Sequence, residues 1–245
     1  MNQQIQSHTV WQTVGLHLVP GALITAFYFL TAPLVMKAGY PALMALLLAI
    51  LVILIPFELG YLLYQGQKRT GRLSLNGVVL YREPIPLWQY FIFVPLLLGW
   101  MVAAFGALSP LDNYFIRTLF SWLPTWSTSS TPLADMAQYS PSALLVTFLV
   151  GLALNGIAGP LVEELYFRGY LLPRIPLRRG WAPLINVILF SLYHFFSPWQ
   201  NVTRIVALIP LVYAVAWKRN IYLSIFTHCI LNTVGMLLAA GLVAQ

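Results

Sequence analysis

Seven apolar stretches, at roughly 12–36, 41–64, 87–108, 142–166, 182–197, 201–217 and 221–242, leave this chain little room to fold as anything but a membrane bundle. A helix that crosses a bilayer needs ~20 mainly apolar residues. Inside lipid the backbone must satisfy its own polar groups, which such helices do. The chain is 60% hydrophobic and 8% charged, against ~25% charged in an ordinary soluble domain. The longest connections, 65–86 and 109–141, are too short to build a core. Residues 1–245 therefore read as one all-α, polytopic transmembrane bundle of about seven spans. Within it, 1–110 holds the N-terminal spans and 142–240 the helices that carry the chemistry. The first segment has no basic n-region and no small-residue cleavage site, so it reads as a retained span. Cys229 is the single cysteine; it lies in a span and reads as packing.

The formal charge of +7 is a topology signal, not a nucleic-acid signature. Lys68, Arg69, Arg72 and Arg82 fall in one loop, Arg168, Arg174, Arg178 and Arg179 in a second, Lys218 and Arg219 in a third. All three loops lie on one side of a seven-span chain. Only Lys37, Arg117 and Arg204 stand opposite. The positive-inside rule then places the N-terminus in the cytoplasm. A compact bundle of this kind points to a bacterial inner-membrane protein, in contact with the lipid bilayer and with no nucleic-acid partner.

Several local features shape the bundle. His17, near the start of the first span, reads as a packed or interfacial histidine. Glu58 ends the second span and is expected to pair with an arginine of the next loop. Ser109-Pro110-Leu111-Asp112 looks like the start of a separate short helix, and the aromatic stretch after it suits the outer interface. The Ser/Thr run at 127–131 reads as loop. Gly156, Gly159 and Pro160 should loosen the fourth span just before its acids.

Those acids are the unusual feature. The chain has six Asp and Glu in all, and two of them, Glu163 and Glu164, sit side by side at the expected end of the fourth span. Ionisable groups at membrane depth are costly and usually face a functional cavity. At ~100° per residue the two carboxylates point apart. Glu164 and Arg168 can pair along one face, which leaves Glu163 free for acid–base work. Two later spans each carry one histidine, in Phe190-Ser191-Leu192-Tyr193-His194 and His228-Cys229-Ile230-Leu231-Asn232. His228 and Asn232 share a helical face.

Glu-Glu-x-x-x-Arg, Phe-x-x-x-His and His-x-x-x-Asn, in that order on successive membrane helices, resemble the CAAX-protease and bacteriocin-processing (Abi-type) family of intramembrane endopeptidases. The resemblance spans about residues 142–240. It implies hydrolysis of a peptide bond in a membrane-associated protein or peptide. In one version Glu163 is the general base, His194 orients the water and shuttles the proton, and His228 and Asn232 hold the oxyanion. Glu164 and Arg168 then keep the helix in register. In the other version zinc is bound by His194, His228 and Glu163. The version without a cofactor is preferred, since Asn232 has an evident role only there. Two other classes stand beside the peptidase: a proton- or ion-coupled transporter, and a non-catalytic immunity or scaffold protein. Substrates are expected through a lateral gap or the cytoplasmic mouth.

Overall fold

The computed structural model describes residues 6–128, 136, 138–177 and 180–243. Among them, seven main helices follow one another: α1 (Val10–Lys37), α2 (Ala42–Thr70), α3 (Leu87–Thr118), α4 (Pro141–Arg174), α5 (Ala182–Tyr193), α6 (Asn201–Lys218) and α7 (Tyr222–Val243). Five of these, and α6 with the tight turn Pro198–Gln200 before it, are long and apolar enough to cross a membrane. Helix α5 is the shorter exception. No strand occurs among the described residues, only an isolated bridge between Arg82 and Asn220. About seven spans is thus what the fold supports. Large apolar side chains such as Leu30, Phe91, Trp217 and Leu238 cover the outside, while Glu58, Glu163, Glu164 and Arg168 are buried. That is the distribution lipid demands.

Helix ends follow the chain's own signals. Thr9 and Gln12 close a reciprocal capping box at α1, satisfying donors that would otherwise be orphaned. Ser140 accepts from Ala143 N–H ahead of Pro141 at the start of α4. Before α1, His8 donates its backbone N–H to the Arg174 carbonyl at 2.9 Å. Burial, and then the Arg174 guanidinium, lower the His8 imidazole to about 4, so it sits beside that arginine uncharged.

Proline widens the helices where the site is built. Residues Ile50–Leu59 of α2, around Pro56, and Leu152–Ala158 of α4, before Pro160, coil with π geometry. Pro160 has no N–H to give Gly156, and the Gly156 carbonyl instead accepts from Thr233 Oγ1 on α7 at 3.3 Å. The neighbouring Asn155 carbonyl accepts from Asn232 Nδ2 at 3.1 Å. A third π stretch, Glu164–Leu171, carries Glu164 itself and begins directly after Glu163. Such bulges concentrate at functional sites.

Three expectations need correction. Helix α3 does not break at Ser109; it runs on through Pro110 to Thr118. Its far end is pinned because Thr203 Oγ1 donates to buried Asp112 Oδ1 at 2.6 Å, a tertiary contact that local capping signals do not contain. Glu163 and Glu164 do not end their span either. Helix α4 continues to Arg174, which puts Glu163 about 16 Å inside it at the helical rise. Glu58 pairs with no loop arginine; it is fully buried, and Arg69 donates to the Gly77 carbonyl instead. Of the basic loop residues, Arg178 and Arg179 lie outside the described residues, as do 129–131 of the Ser/Thr run.

Helix α5 stops at Tyr193. Its 12 residues rise about 18 Å, less than the ~30 Å hydrocarbon core. His194, at its tip, therefore stays within the bilayer. Helix α1 seats this short helix through Gly21, where an added Cβ would run into the Tyr193 carbonyl and ring. Since a backbone atom cannot move aside, Gly21→Ala is expected to lose about 1–3 kcal/mol by overpacking. Thermal unfolding in detergent measures this, and an unchanged midpoint would mean that α1 and α5 separate freely.

Candidate active site

Helix α4 brings the acids, the tip of α5 brings His194, and α7 brings His228 and Asn232. Glu163, His194, His228 and Asn232 line one cavity of about 400 Å³. Neither imidazole faces lipid alone. Glu164 and Arg168 stand behind the wall, fully buried.

The charged core is a chain of contacts. Arg168 Nε lies 3.3 Å from Glu164 Oε2, one helical turn away, and its guanidinium carbon sits 3.9 Å from the centre of the Phe190 ring. Glu164 Oε1 accepts from His228 Nδ1 at 2.9 Å. On the other side of that ring, His228 Nε2 is 3.9 Å from Glu163 Oε2. His228 is thus gripped between the two carboxylates, and Glu163 keeps its face to the cavity.

Hydrogen bonds fix the tautomers. His194 Nδ1 lies 2.8 Å from the Phe190 carbonyl; a carbonyl only accepts, so Nδ1 carries the hydrogen and neutral His194 presents a lone pair at Nε2. His228 Nδ1 likewise donates to Glu164, so its Nε2 donates only as the imidazolium, for which Glu163 and Glu164 supply countercharge. Asn232 spends one amide N–H on Asn155 and has a second. His17 stays out of the site: it bonds the Thr13 carbonyl at 2.7 Å and Asn186 at 3.1 Å, the packing role its position implied. Cys229 is partly exposed, with Sγ 3.8 Å from the Ile157 carbonyl.

Three neighbours were not singled out as site residues from the sequence. Tyr193 lines the cavity, with its hydroxyl directed at both Glu58 and Glu163 though without a hydrogen bond of ordinary geometry. Glu58, expected above to pair with a loop arginine, stands behind it in the field of Glu163 and Arg168. Arg204, counted above among the outer loop charges, is instead buried in the cavity wall. Only the cost of an intramembrane charge hints at the last two.

The cavity extends away from the basic loops. Its lining runs from Glu163 past Ile50 to Leu46, Tyr28 and Ser127. On the basic side, Leu62, Tyr166, Phe167 and Leu171 are fully buried and fill the space beneath the acids. Among the described residues no three His, Cys, Asp or Glu side chains group so as to hold a metal ion.

No curated protein and no solved structure matches the chain. The family described as type II CAAX prenyl endopeptidase Rce1-like matches residues 142–234, the part of α4 through α7 that carries all three motifs. Over that segment the chain is similar to CAAX-protease-type membrane endopeptidases, consistent with the CAAX-protease and bacteriocin-processing family that its Glu-Glu, Phe-x-x-x-His and His-x-x-x-Asn elements resemble.

Proposed function

We propose that this protein is an intramembrane endopeptidase that hydrolyses a peptide bond with Glu163 as general base and no metal. The observation that carries the reading is the convergence of Glu163, both imidazoles and Asn232 on one cavity. A water held between Glu163 and His194 Nε2 gives its proton to the Glu163 carboxylate. The hydroxide attacks the scissile carbonyl carbon, and the carbonyl oxygen becomes an oxyanion. His228 Nε2–H and the spare Asn232 N–H donate to it; losing one such donor costs ~3–4 kcal/mol in other hydrolases. As the C–N bond breaks, the proton on Glu163 passes to the leaving amine, with His194 as relay. Glu164 takes no proton; it orients His228, and Arg168 orients Glu164.

Zinc would draw on His194, His228 and Glu163. The Nδ1 bonds of both imidazoles, to the Phe190 carbonyl and to Glu164, leave each Nε2 free to ligate, but Asn232 has an evident role only in the route without a metal. We therefore route no step through a metal. Substrate entry from the end away from the basic loops, or sideways between helices, suits the cavity better than the cytoplasmic mouth. The prenyl group belongs to the matched family's description.

Peptidomics of membranes holding wild-type protein or His194→Ala tests the reading. Cleavage products present with the wild type should fall at least ~10²-fold without the relay, and purified wild type should keep cleaving after exhaustive chelation. Unchanged peptides with a lost ion flux would mean a transporter. An unchanged phenotype would mean a scaffold, and a stoichiometric, required Zn²⁺ would overturn the metal-free route.

A further inference from the structure

We infer that Arg204 is an anion subsite of this cavity, receiving a carboxylate group of the peptide substrate. The inference rests on the peptidase reading for its ligand and on Arg204 itself for its chemistry.

The two buried arginines that flank the cavity differ. Arg168 has Glu164 at 3.3 Å and the Phe190 ring beneath it. Arg204, only 7% exposed, has no carboxylate within ion-pair distance among the described residues. Its partners are neutral: Ser197 Oγ at 2.8 Å, Gln200 Oε1 at 3.2 Å, and the Ser191 carbonyl and Asn201 Oδ1 at 3.4 Å each. A buried charge is ordinarily paired. Asp112 and Glu163 are near enough to act on Arg204 through space, but Asp112 is bonded by Thr203 and Glu163 faces the reacting water.

What remains is a guanidinium in the wall of the reaction cavity, held by side chains of the α5–α6 turn, with its charge unspent. Its planar fork matches a carboxylate in shape. The turn sets its position: Ser197 and Gln200 come from the segment that follows His194, so one local structure places both the relay imidazole and the cation. A peptide whose scissile carbonyl sits at Glu163 would lay its anionic group beside Arg204. That group is either the free C-terminus or an Asp or Glu side chain.

The probes are an acetylated Leu/Ala hexapeptide with a free C-terminal carboxylate, the same peptide as its C-terminal amide, and the amide with one internal Glu. Binding is measured to the Glu163→Gln protein in nanodiscs, and kcat/KM with wild type. The free acid should bind at least tenfold more tightly than the amide. Adding Arg204→Gln should bring the two within twofold, and Arg204→Lys should keep part of the difference. If the internal Glu restores binding of the amide, the anion is a side chain; if it does not, the anion is the C-terminus. Equal binding of all three peptides to protein with Arg204 intact overturns the inference without any variant, as does a preference that survives Arg204→Gln. Binding needs no turnover. An acid preference without cleavage therefore sinks only the peptidase reading, and cleavage without the preference sinks only the subsite.

Discussion

Glu163→Gln is expected to lower cleavage of a membrane peptide by about 10³-fold, within the 10²–10⁴ that general acid–base catalysis contributes, with little change in stability. Glutamine fills the same volume and keeps an oxygen toward the cavity, but it cannot take a proton from water. Nothing nearby replaces it. Glu164 is fully buried and committed to Arg168 and to His228, and Glu58 lies outside the cavity lining behind Tyr193. Stability should hold because the contact that Glu163 gives up, to His228 Nε2, is a long one at 3.9 Å. Turnover of a purified reporter, read beside the thermal midpoint, separates the two effects. A variant that keeps more than about a tenth of the wild-type rate would take Glu163 out of the base role.

Hydropathy made most of the fold legible. Seven apolar runs became seven helices because each helix satisfies its own backbone and needs no knowledge of its neighbours. The same locality explains the errors. Ser109-Pro110 has the composition of a helix start, yet α3 continues there to Thr118; a single proline is tolerated when neighbouring helices support the turn. The fourth apolar run fades near residue 166 because Arg168 and Arg174 are polar, but both are buried, and the helix goes on. The site was half legible. Glu163, Glu164, His194, His228 and Asn232 announce themselves as polar residues at fixed spacing in apolar helices. That His228 is held by both glutamates, and that Arg204 belongs to the cavity rather than to a loop, depend on how α4, α6 and α7 meet. No pattern within one helix carries that information.

Arg168→Met tests whether the buried ion pair serves stability, geometry or both. Removing one partner of a buried pair typically costs about 3–5 kcal/mol, because the remaining charge is left uncompensated. Here it would take the cation from Glu164 Oε2, fully buried on α4, and leave the carboxylate only its His228 contact. It would also remove the guanidinium stacked on Phe190. The single variant should therefore unfold far more easily, as measured by chemical or thermal denaturation in detergent. The double variant Arg168→Met/Glu164→Gln removes both charges at once, and replacing a whole buried pair with neutral groups is often close to neutral. Most of the lost stability should return. Activity should not, since the Glu164→Gln change leaves His228 Nδ1 a weaker, uncharged acceptor in place of the carboxylate now at 2.9 Å. A double variant that regains both would mean that the pair merely packs α4. One that regains stability alone assigns Glu164 to the positioning of His228.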